Sequence, residues 1–172
     1  MTATDFAHTT DDESALSELD HGKVTFQPFL SWRAGRASCN ICVLLATHAK
    51  ANGLGQVFTA KTGFQLDVAT VRAPSTSFVR RTRVDPSSGF IAGAPDLAVE
   101  LHETGRSLIQ LMRKVKQYFA AGTHTIWIVD PDRKEVQILE ATGTDCLLQN
   151  DDLLEAPELL PGFSTPISEF FE

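Results

Sequence analysis

The sequence predicts an α/β (α+β) domain in which a central mixed β-sheet is flanked by helices. Two segments, 36–51 and 107–121, carry apolar residues at helical spacing. Short segments between them are rich in Val and Phe and are broken by glycine, which is typical of strands. Two further strand-like segments follow the second helix. The order helix, strands, helix, hairpin indicates a sheet with helices packed against it.

The two helices are predicted from their apolar stripes and from the residues that end them. Asn52 and Gly53 end the first helix, and Gly122 ends the second. The stripes consist of Ala37, Ile41, Leu44, Leu45 and Ala49 in the first helix, and of Leu108, Leu111, Met112, Val115, Tyr118 and Phe119 in the second. We expect both stripes to face the core.

The remaining elements are predicted as strands and loops. Strands are expected at 56–59, 63–66, 71–79, 96–101, 125–129 and 135–140, with a connecting loop over 85–94. The turn at 131–134 makes the last two strands a hairpin. Residues 1–17 are polar and predict a flexible N-terminal segment. We expect 18–172 to form a single domain, because a chain of 172 residues can bury one core of ordinary size.

Composition and cysteine content restrict the class of protein. With 42% hydrophobic and 22% charged residues, the chain is typical of soluble globular proteins. It has neither an apolar run of roughly 18 residues nor a signal peptide, so we expect a cytoplasmic location and no membrane partner. Cys39, Cys42 and Cys146 are too few for a disulfide framework. Cys39 and Cys42 lie in the first predicted helix, where we expect small core or interface residues rather than a metal or redox pair.

The charge is unevenly distributed along the chain. The net charge of -7 by itself argues against a nucleic-acid partner. However, residues 21–129 carry thirteen Lys or Arg against five Asp or Glu, so the acidic excess lies at the two ends. The basic middle indicates either a nucleic-acid surface or merely a solvated one, and the charge count does not distinguish them.

Two acids lie in an otherwise apolar predicted strand, an arrangement that is costly unless the acids have partners. At about 3.3 Å rise per residue, the Cα atoms of Asp96 and Glu100 are about 13 Å apart, too far to hold one ion together easily. Glu100 and His102 are about 7 Å apart on the same face. Glu100 is therefore the better functional candidate, whereas Asp96 could start the strand or cap the preceding loop.

A lysine on the second helix could reach this strand. At 100° per residue, Lys114 lies about 40° outside the apolar stripe, and Lys116 borders the opposite edge at a similar angle. Periodicity alone does not choose between them. A structural lysine with its stem along apolar surface is the alternative for either residue.

A family resemblance runs through nearly the whole chain. It is carried by Gly55-Gln56-Val57-Phe58, Thr62-Gly63-Phe64, Val71-Arg72-Ala73-Pro74, Gly93-Ala94-Pro95-Asp96-Leu97-Ala98-Val99-Glu100, Lys114-Val115-Lys116-Gln117-Tyr118, Ala121-Gly122 and Trp127-Ile128-Val129-Asp130-Pro131. Glu18-Leu19 with Gly22, and Leu160-Pro161-Gly162-Phe163, are further landmarks. In these stretches the chain resembles the bacterial Uma-type family assigned as restriction endonucleases, within the PD-(D/E)XK nuclease superfamily. The resemblance implies a restriction-endonuclease-like fold.

The resemblance also implies a metal-dependent phosphodiesterase site. In that superfamily an aspartate and a glutamate on neighbouring strands bind Mg²⁺ (or Mn²⁺), and a lysine helps to position the nucleophile. Glu100 matches the glutamate, and Lys114 matches the lysine that this family carries on the helix. Asp96 is the further candidate carboxylate for the metal.

Two positions depart from the family pattern. After Arg72-Ala73-Pro74 the family has an aspartate, and this chain has Ser75, whose neutral hydroxyl is a poor Mg²⁺ ligand. After the strand the family continues with a serine, and this chain has Leu101-His102-Glu103. His102 is either a substitute ligand or the result of drift. We favour drift, because imidazole suits zinc and other transition metals better than Mg²⁺.

These observations lead to two hypotheses of different classes. The first is a Mg²⁺-dependent DNA endonuclease, impaired by Ser75, with phosphate contacts from Arg72, Arg80, Arg81 and Arg83. The second is a catalytically inactive nuclease-fold protein that acts as a DNA-binding or protein-interaction module. We expect DNA as the partner and a homodimer as the assembly.

Overall fold

The computed structural model describes residues 1–8, 16–83 and 89–172, and the element bounds refer to these residues. The helices are α1 (Ala3–His8), α2 (Trp32–Ala51) and α3 (Leu108–Ala120), with short 3-10 helices at Arg81–Arg83 and Ile167–Phe170. The strands are β1 (Leu16–Asp20), β2 (Lys23–Gln27), β3 (Gly55–Thr59), β4 (Phe64–Asp67), β5 (Thr70–Arg72), β6 (Thr76–Arg80), β7 (Ile91–Ala92), β8 (Leu97–Leu101), β9 (Thr125–Asp130), β10 (Glu135–Glu140), β11 (Asp145–Gln149), β12 (Leu153–Glu155) and β13 (Ser164–Pro166).

The central sheet is mixed, as the sequence predicts. Its six strands lie in the order β11-β10-β9-β8-β6-β3. Strands β8 and β9 are parallel, and α3 connects them, whereas the other neighbours are antiparallel. A second sheet has the order β2-β1-β5-β4-β7, and β12 pairs with β13. The predicted hairpin is the antiparallel pair of β9 and β10.

The two long helices cover opposite faces of the central sheet. Leu97, Val99 and Leu101 of β8 belong to the core cluster that includes the buried residues of α2. Ala98 belongs to the second cluster, with Leu111, Val115 and Tyr118 of α3. Because side chains alternate along a strand, Glu100 lies on the same face as Ala98 and is directed toward α3. This alternation brings the predicted glutamate to the predicted lysine helix.

Both long helices begin at a serine cap. The Ser31 hydroxyl accepts a hydrogen bond from the Ala34 amide at 3.3 Å, and the Ser107 hydroxyl accepts one from the Gln110 amide at 3.3 Å. The cap at Ser31 starts α2 four residues earlier than the apolar stripe predicts. The added turn places Trp32 at the start of the helix.

The single strand predicted over 71–79 is wrong. Residues Ala73, Pro74 and Ser75 separate β5 from β6, and the two strands belong to different sheets. Proline has no amide hydrogen for a strand ladder, which favours a break at this position. The chain therefore crosses from one sheet to the other immediately before Ser75.

Several smaller predictions also changed. Ile91–Ala92 forms β7 beside β4, within the expected loop 85–94. Residues 85–88 of that loop lie outside the described part of the chain. Residues Ala3–His8 form α1, and the expected boundary at residue 18 stays a prediction, because 9–15 are not described.

All three cysteines are free, and Cys39 is exposed rather than in the core. In the described part of the chain, no helix has the length and apolar character that crossing a membrane requires.

Candidate active site

Glu100 and Lys114 are in contact in a buried cluster between β8 and α3. The Lys114 Nζ atom lies 3.4 Å from Glu100 Oε2, and the Tyr118 hydroxyl donates to Glu100 Oε1 at 2.8 Å. Lys114 and Tyr118 are four residues apart and share one face of α3. Lys116, the alternative that periodicity left open, is exposed. Of the two lysines, only Lys114 therefore contacts Glu100.

A second glutamate joins this cluster from the other sheet. Glu18 of β1 is fully buried, and its Oε1 lies 2.9 Å from Lys114 Nζ. The Ala73 amide donates to the same Glu18 oxygen at 3.0 Å, and Gln27 Nε2 donates to Glu18 Oε2 at 2.9 Å. In the sequence, Glu18 is only a landmark of the family resemblance. An acid in a strand segment beside Leu19 was the signal that could have marked it as buried.

Arg72 completes the buried network, so its predicted contact with DNA phosphate is wrong. The side chain is 3% exposed, its Nη1 is 3.0 Å from Glu18 Oε2, and its Nη2 is 3.0 Å from Asp20 Oδ1. Its Nε donates to Gln117 at 2.8 Å. Because its donors are directed at these protein groups and its side chain is almost fully buried, Arg72 is not available to a phosphate.

Burial and charge shift the pKa values within the cluster. Burial, supplemented by the negative charge of Glu18, raises the pKa of Glu100, although Lys114 opposes the shift. Burial alone would lower the pKa of Lys114, but the Glu100 and Glu18 carboxylates outweigh burial and the pKa is raised. Burial and the Glu100 carboxylate raise the pKa of Tyr118, which stays protonated and donates to Glu100. Lys114 therefore remains a fixed positive charge at neutral pH.

Ser75 immediately precedes β6, at the position that follows the Thr76–Val99 pair toward Glu100. Thr76 pairs with Val99, and the Ser75 amide donates to the Val99 carbonyl at 3.0 Å. The Thr76 hydroxyl donates to Ser38 of α2 at 3.3 Å, so Thr76 faces α2. By alternation the Ser75 side chain faces the α3 side, where Glu100 lies. Ser75 therefore stands at the position, on the α3 side of the sheet, where the family resemblance implies an aspartate.

Asp96 belongs to a different part of the molecule and is not a co-ligand of Glu100. Its Oδ2 accepts the Arg80 amide at 2.9 Å, and its Oδ1 lies 3.1 Å from Arg83 Nη1. Both carboxylate oxygens therefore hold the end of β6 and the 3-10 helix that follows. This arrangement corrects the expectation that Asp96 binds metal and agrees with the alternative that it fixes the start of the strand.

The remaining arginines predicted to bind DNA are only partly available. Arg83 is paired with Asp96 and also donates to the Ala94 carbonyl at 2.6 Å. Arg80 donates to the Glu158 carbonyl at 3.3 Å. Arg81 is exposed and borders a surface cleft with Lys50 that Glu100 does not line. Their role in binding DNA stays a prediction.

A cavity of about 260 Å³ opens beside the cluster. Glu100, Lys114 and His102 line it, together with polar side chains from the end of β2, the β8–α3 connection and the first turn of α3, namely Gln27, Arg106, Ser107 and Gln110. The Nε2 atom of His102 is buried without a hydrogen-bond partner in the described part of the chain. The cavity combines one carboxylate, one fixed ammonium and several donors, which is a chemistry suited to a phosphate group.

Asp20 lies at the outer edge of the network, and its ionisation makes the stability of the folded protein depend on pH. It accepts hydrogen bonds from Gln117 at 2.8 Å and Arg113 at 3.1 Å, in addition to its pair with Arg72. Burial raises the pKa of Asp20, but the Gln117 hydrogen bond and the Arg72 charge outweigh burial, and the pKa is lowered from 3.8. A carboxyl group whose pKa is lower in the folded state than in the unfolded state stabilises the fold. This stabilisation is fully present above the pKa of the unfolded state and is lost as the pH falls through the pKa of the folded state.

We therefore expect Asp20→Asn to lower the urea midpoint at neutral pH, because the charged partners of Asp20 lose their carboxylate. The difference between variant and wild type should shrink as pH falls below about 3.8. Urea titrations followed by circular dichroism across this range measure it. Asp145→Asn, an exposed acid on β11, is the matched control. A difference that stays constant with pH would contradict the role of the Asp20 charge.

Comparisons with known proteins bear on the family and the fold. The model of the Uma2 family, described as "Putative restriction endonuclease", matches residues 3–168. The fold is similar to the crystal structure of a "putative nuclease belonging to DUF820" from Anabaena variabilis ATCC 29413, with a TM-score of 0.83. That likeness covers 99% of this chain and 97% of the other at 20% sequence identity. None of the curated proteins compared with the chain matches it.

Proposed function

Because the chain belongs to the Uma2 family of restriction endonucleases, we propose that it is a metal-dependent DNA endonuclease whose affinity for metal is lowered by Ser75. The observation that carries the proposal is the contact between Glu100 and Lys114 at the wall of a cavity. A carboxylate and an ammonium at this spacing can serve a metal and a phosphate respectively. The reaction is hydrolysis of a phosphodiester bond.

The residues of the cavity fit Mg²⁺ or Mn²⁺ only with help from the substrate. Mg²⁺ is commonly held by one or two carboxylates together with substrate phosphates and water. Glu100 is the carboxylate that lines the cavity. Ser75 does not line it, and next to the Thr76–Val99 pair it offers only a neutral hydroxyl. Within residues 1–8, 16–83 and 89–172, no group of three His, Cys, Asp or Glu side chains is placed to hold an ion. Glu100 would thus hold the metal together with the substrate's phosphate oxygens.

The bound ion would supply Lewis-acid charge and an activated water. The protein's own residues perform the other tasks. Lys114 provides a fixed positive charge for the phosphate, and Glu18 orients Lys114 through their 2.9 Å contact. Tyr118 orients Glu100 by donating to its Oε1 atom. Glu18 and Tyr118 are therefore positioning residues, whereas Glu100 and Lys114 contact the reacting groups.

The proposal predicts nicking of supercoiled plasmid that requires both the metal and Glu100. Wild type with Mg²⁺ or Mn²⁺ should convert plasmid to open circles. EDTA, which removes the metal, or Glu100→Gln, which removes the carboxylate that lines the cavity, should reduce conversion to background. Gel electrophoresis of time points measures the conversion. Glu155→Gln, an exposed acid on β12, is the matched control. Equal traces from wild type and Glu100→Gln would show that the activity is a contaminant.

Ser75 favours a second candidate, a nuclease-fold protein that binds DNA or a protein without cleaving. In this alternative the cluster is structural. Its cations, Arg72 and Lys114, are already paired with its carboxylates, Glu18 and Glu100. DNA binding that falls steeply with salt and is not followed by cleavage would support the DNA-binding form of this candidate. Assembly as a homodimer remains a proposal for either function.

A further inference from the structure

Two aromatic side chains are exposed on the connection between β2 and the start of α2. Phe29 is 86% exposed and Trp32 is 68% exposed. The other tryptophan, Trp127, is fully buried in the core. Neighbouring exposed aromatic side chains are unusual on a soluble surface and commonly mark a binding site.

The backbone that carries these aromatic residues is held in place. The Phe29 carbonyl accepts a hydrogen bond from Arg106 Nη2 at 2.7 Å, and the Ser31 amide donates to Glu103 Oε1 at 3.1 Å. The Ser31 hydroxyl also caps α2. The aromatic side chains are thus presented to solvent from a fixed segment rather than from a frayed end.

Positive charge surrounds the exposed tryptophan. The guanidinium carbons of Arg33 and Arg36 lie 5.2 and 5.4 Å from the centre of the Trp32 ring. Both arginines border a polar cavity of about 360 Å³, together with Lys134 and one acid, Asp132. Asp132 lies 4.0 Å from Arg33 and compensates one of these three cations. The lining therefore retains excess positive charge. This surface is complementary to phosphates and to the faces of bases.

The aromatic surface is continuous with the candidate active site. Gln27 and Pro28, which immediately precede Phe29, line the cavity of Glu100 and Lys114. Arg106 lines the same cavity and binds the Phe29 carbonyl. A strand with its phosphate at Glu100 could therefore extend along this connection toward Trp32.

We propose that Phe29 and Trp32 form a stacking surface for unpaired bases, so that the preferred substrate is single-stranded or locally unpaired DNA. The inference rests on the proposed function, whose substrate class it narrows. Bases of an unpaired strand can stack on aromatic side chains, whereas paired bases in a duplex already stack on one another. Arg33 and Arg36 would contact the phosphates that flank these bases.

The test measures binding separately from cleavage. In the Glu100→Gln background with EDTA, labelled oligothymidylate and its duplex with oligodeoxyadenylate are titrated by fluorescence anisotropy. We expect the single strand to bind about tenfold tighter than the duplex and to quench Trp32 fluorescence. Phe29→Leu and Trp32→Leu should each weaken single-strand binding about fivefold or more, because each removes a stacking face but keeps an apolar side chain. Leu147→Ala, an exposed apolar residue on β11, should leave binding unchanged.

Three results would overturn the inference. The first is that the protein binds single-stranded and duplex DNA with equal affinity. The second is that Phe29→Leu weakens single-strand binding no more than Leu147→Ala does. The third is a dimer in sedimentation that shields Trp32 from iodide and dissociates in Trp32→Leu, since a second copy would then cover the surface. Failure of the proposed function has a different signature, because single-strand binding would persist while wild type cleaves no DNA.

Discussion

Ser75→Asp should increase metal-dependent DNA cleavage over wild type by at least the roughly 10–100-fold that a supporting group of a metal site is worth. The new carboxylate would lie beside Glu100 on the α3 side of the sheet, which gives the ion a second charged ligand. Plasmid cleavage rates measure the gain. Mn²⁺ affinity, followed by electron paramagnetic resonance of the free ion, should rise in parallel and does not depend on turnover.

Two control variants separate this explanation from a general effect on folding. Ser75→Asn has a similar size and no charge, so it should leave Mn²⁺ affinity near that of wild type. Glu100→Gln in the Ser75→Asp background should remove the gain, because one carboxylate is again all that remains. A folded Ser75→Asp protein that neither binds Mn²⁺ more tightly nor cleaves faster would refute the assignment of residue 75 to the site.

Glu18→Gln should lower the free energy of unfolding by about 3–5 kcal/mol, the usual cost of removing one partner from a buried ion pair. Glu18 is fully buried and is the shared partner of Lys114 and Arg72. Its loss leaves two buried cations with fewer carboxylates to compensate them. Urea unfolding at neutral pH measures the change.

A double variant tests whether the cost arises from the unpaired charge. Glu18→Gln combined with Lys114→Met removes the ammonium that Glu18 compensates, so the double variant should lose less stability than the sum of the two single changes. Glu155→Gln again serves as the exposed control. Strict additivity of the two single changes would mean that Glu18 and Lys114 do not stabilise one another.

The sequence was sufficient to predict the half of the site that lies close together in the chain. Helical spacing left Lys114 and Lys116 as equal candidates, and the family resemblance selected Lys114. The structure shows that Lys114 contacts Glu100. Glu18 was missed because its contacts with Lys114 and Arg72 join distant segments from two sheets. No local pattern encodes such a pairing.

Charge counts were the least reliable guide to the surface. Arg72 was assigned to DNA from its sign and its neighbours, yet it is buried in the ion-pair network. An arginine within a strand can face solvent and bind a phosphate, or face the core and pair with a carboxylate. The sequence alone does not distinguish these two cases. The exposure of Phe29 and Trp32 also escaped notice, because the serine cap that starts α2 at residue 32 was not recognised.

The chain crosses between its two sheets at Ala73, Pro74 and Ser75, and the requirements of folding and of metal binding differ at residue 75. The buried network draws its charges from Glu18, Arg72, Glu100 and Lys114, and the Ser75 side chain is not among its partners. An aspartate at residue 75 would add a third carboxylate near Glu100, which costs stability in the absence of metal. Serine at residue 75 therefore carries no penalty to folding, even though it lowers the affinity for metal that the proposed function requires.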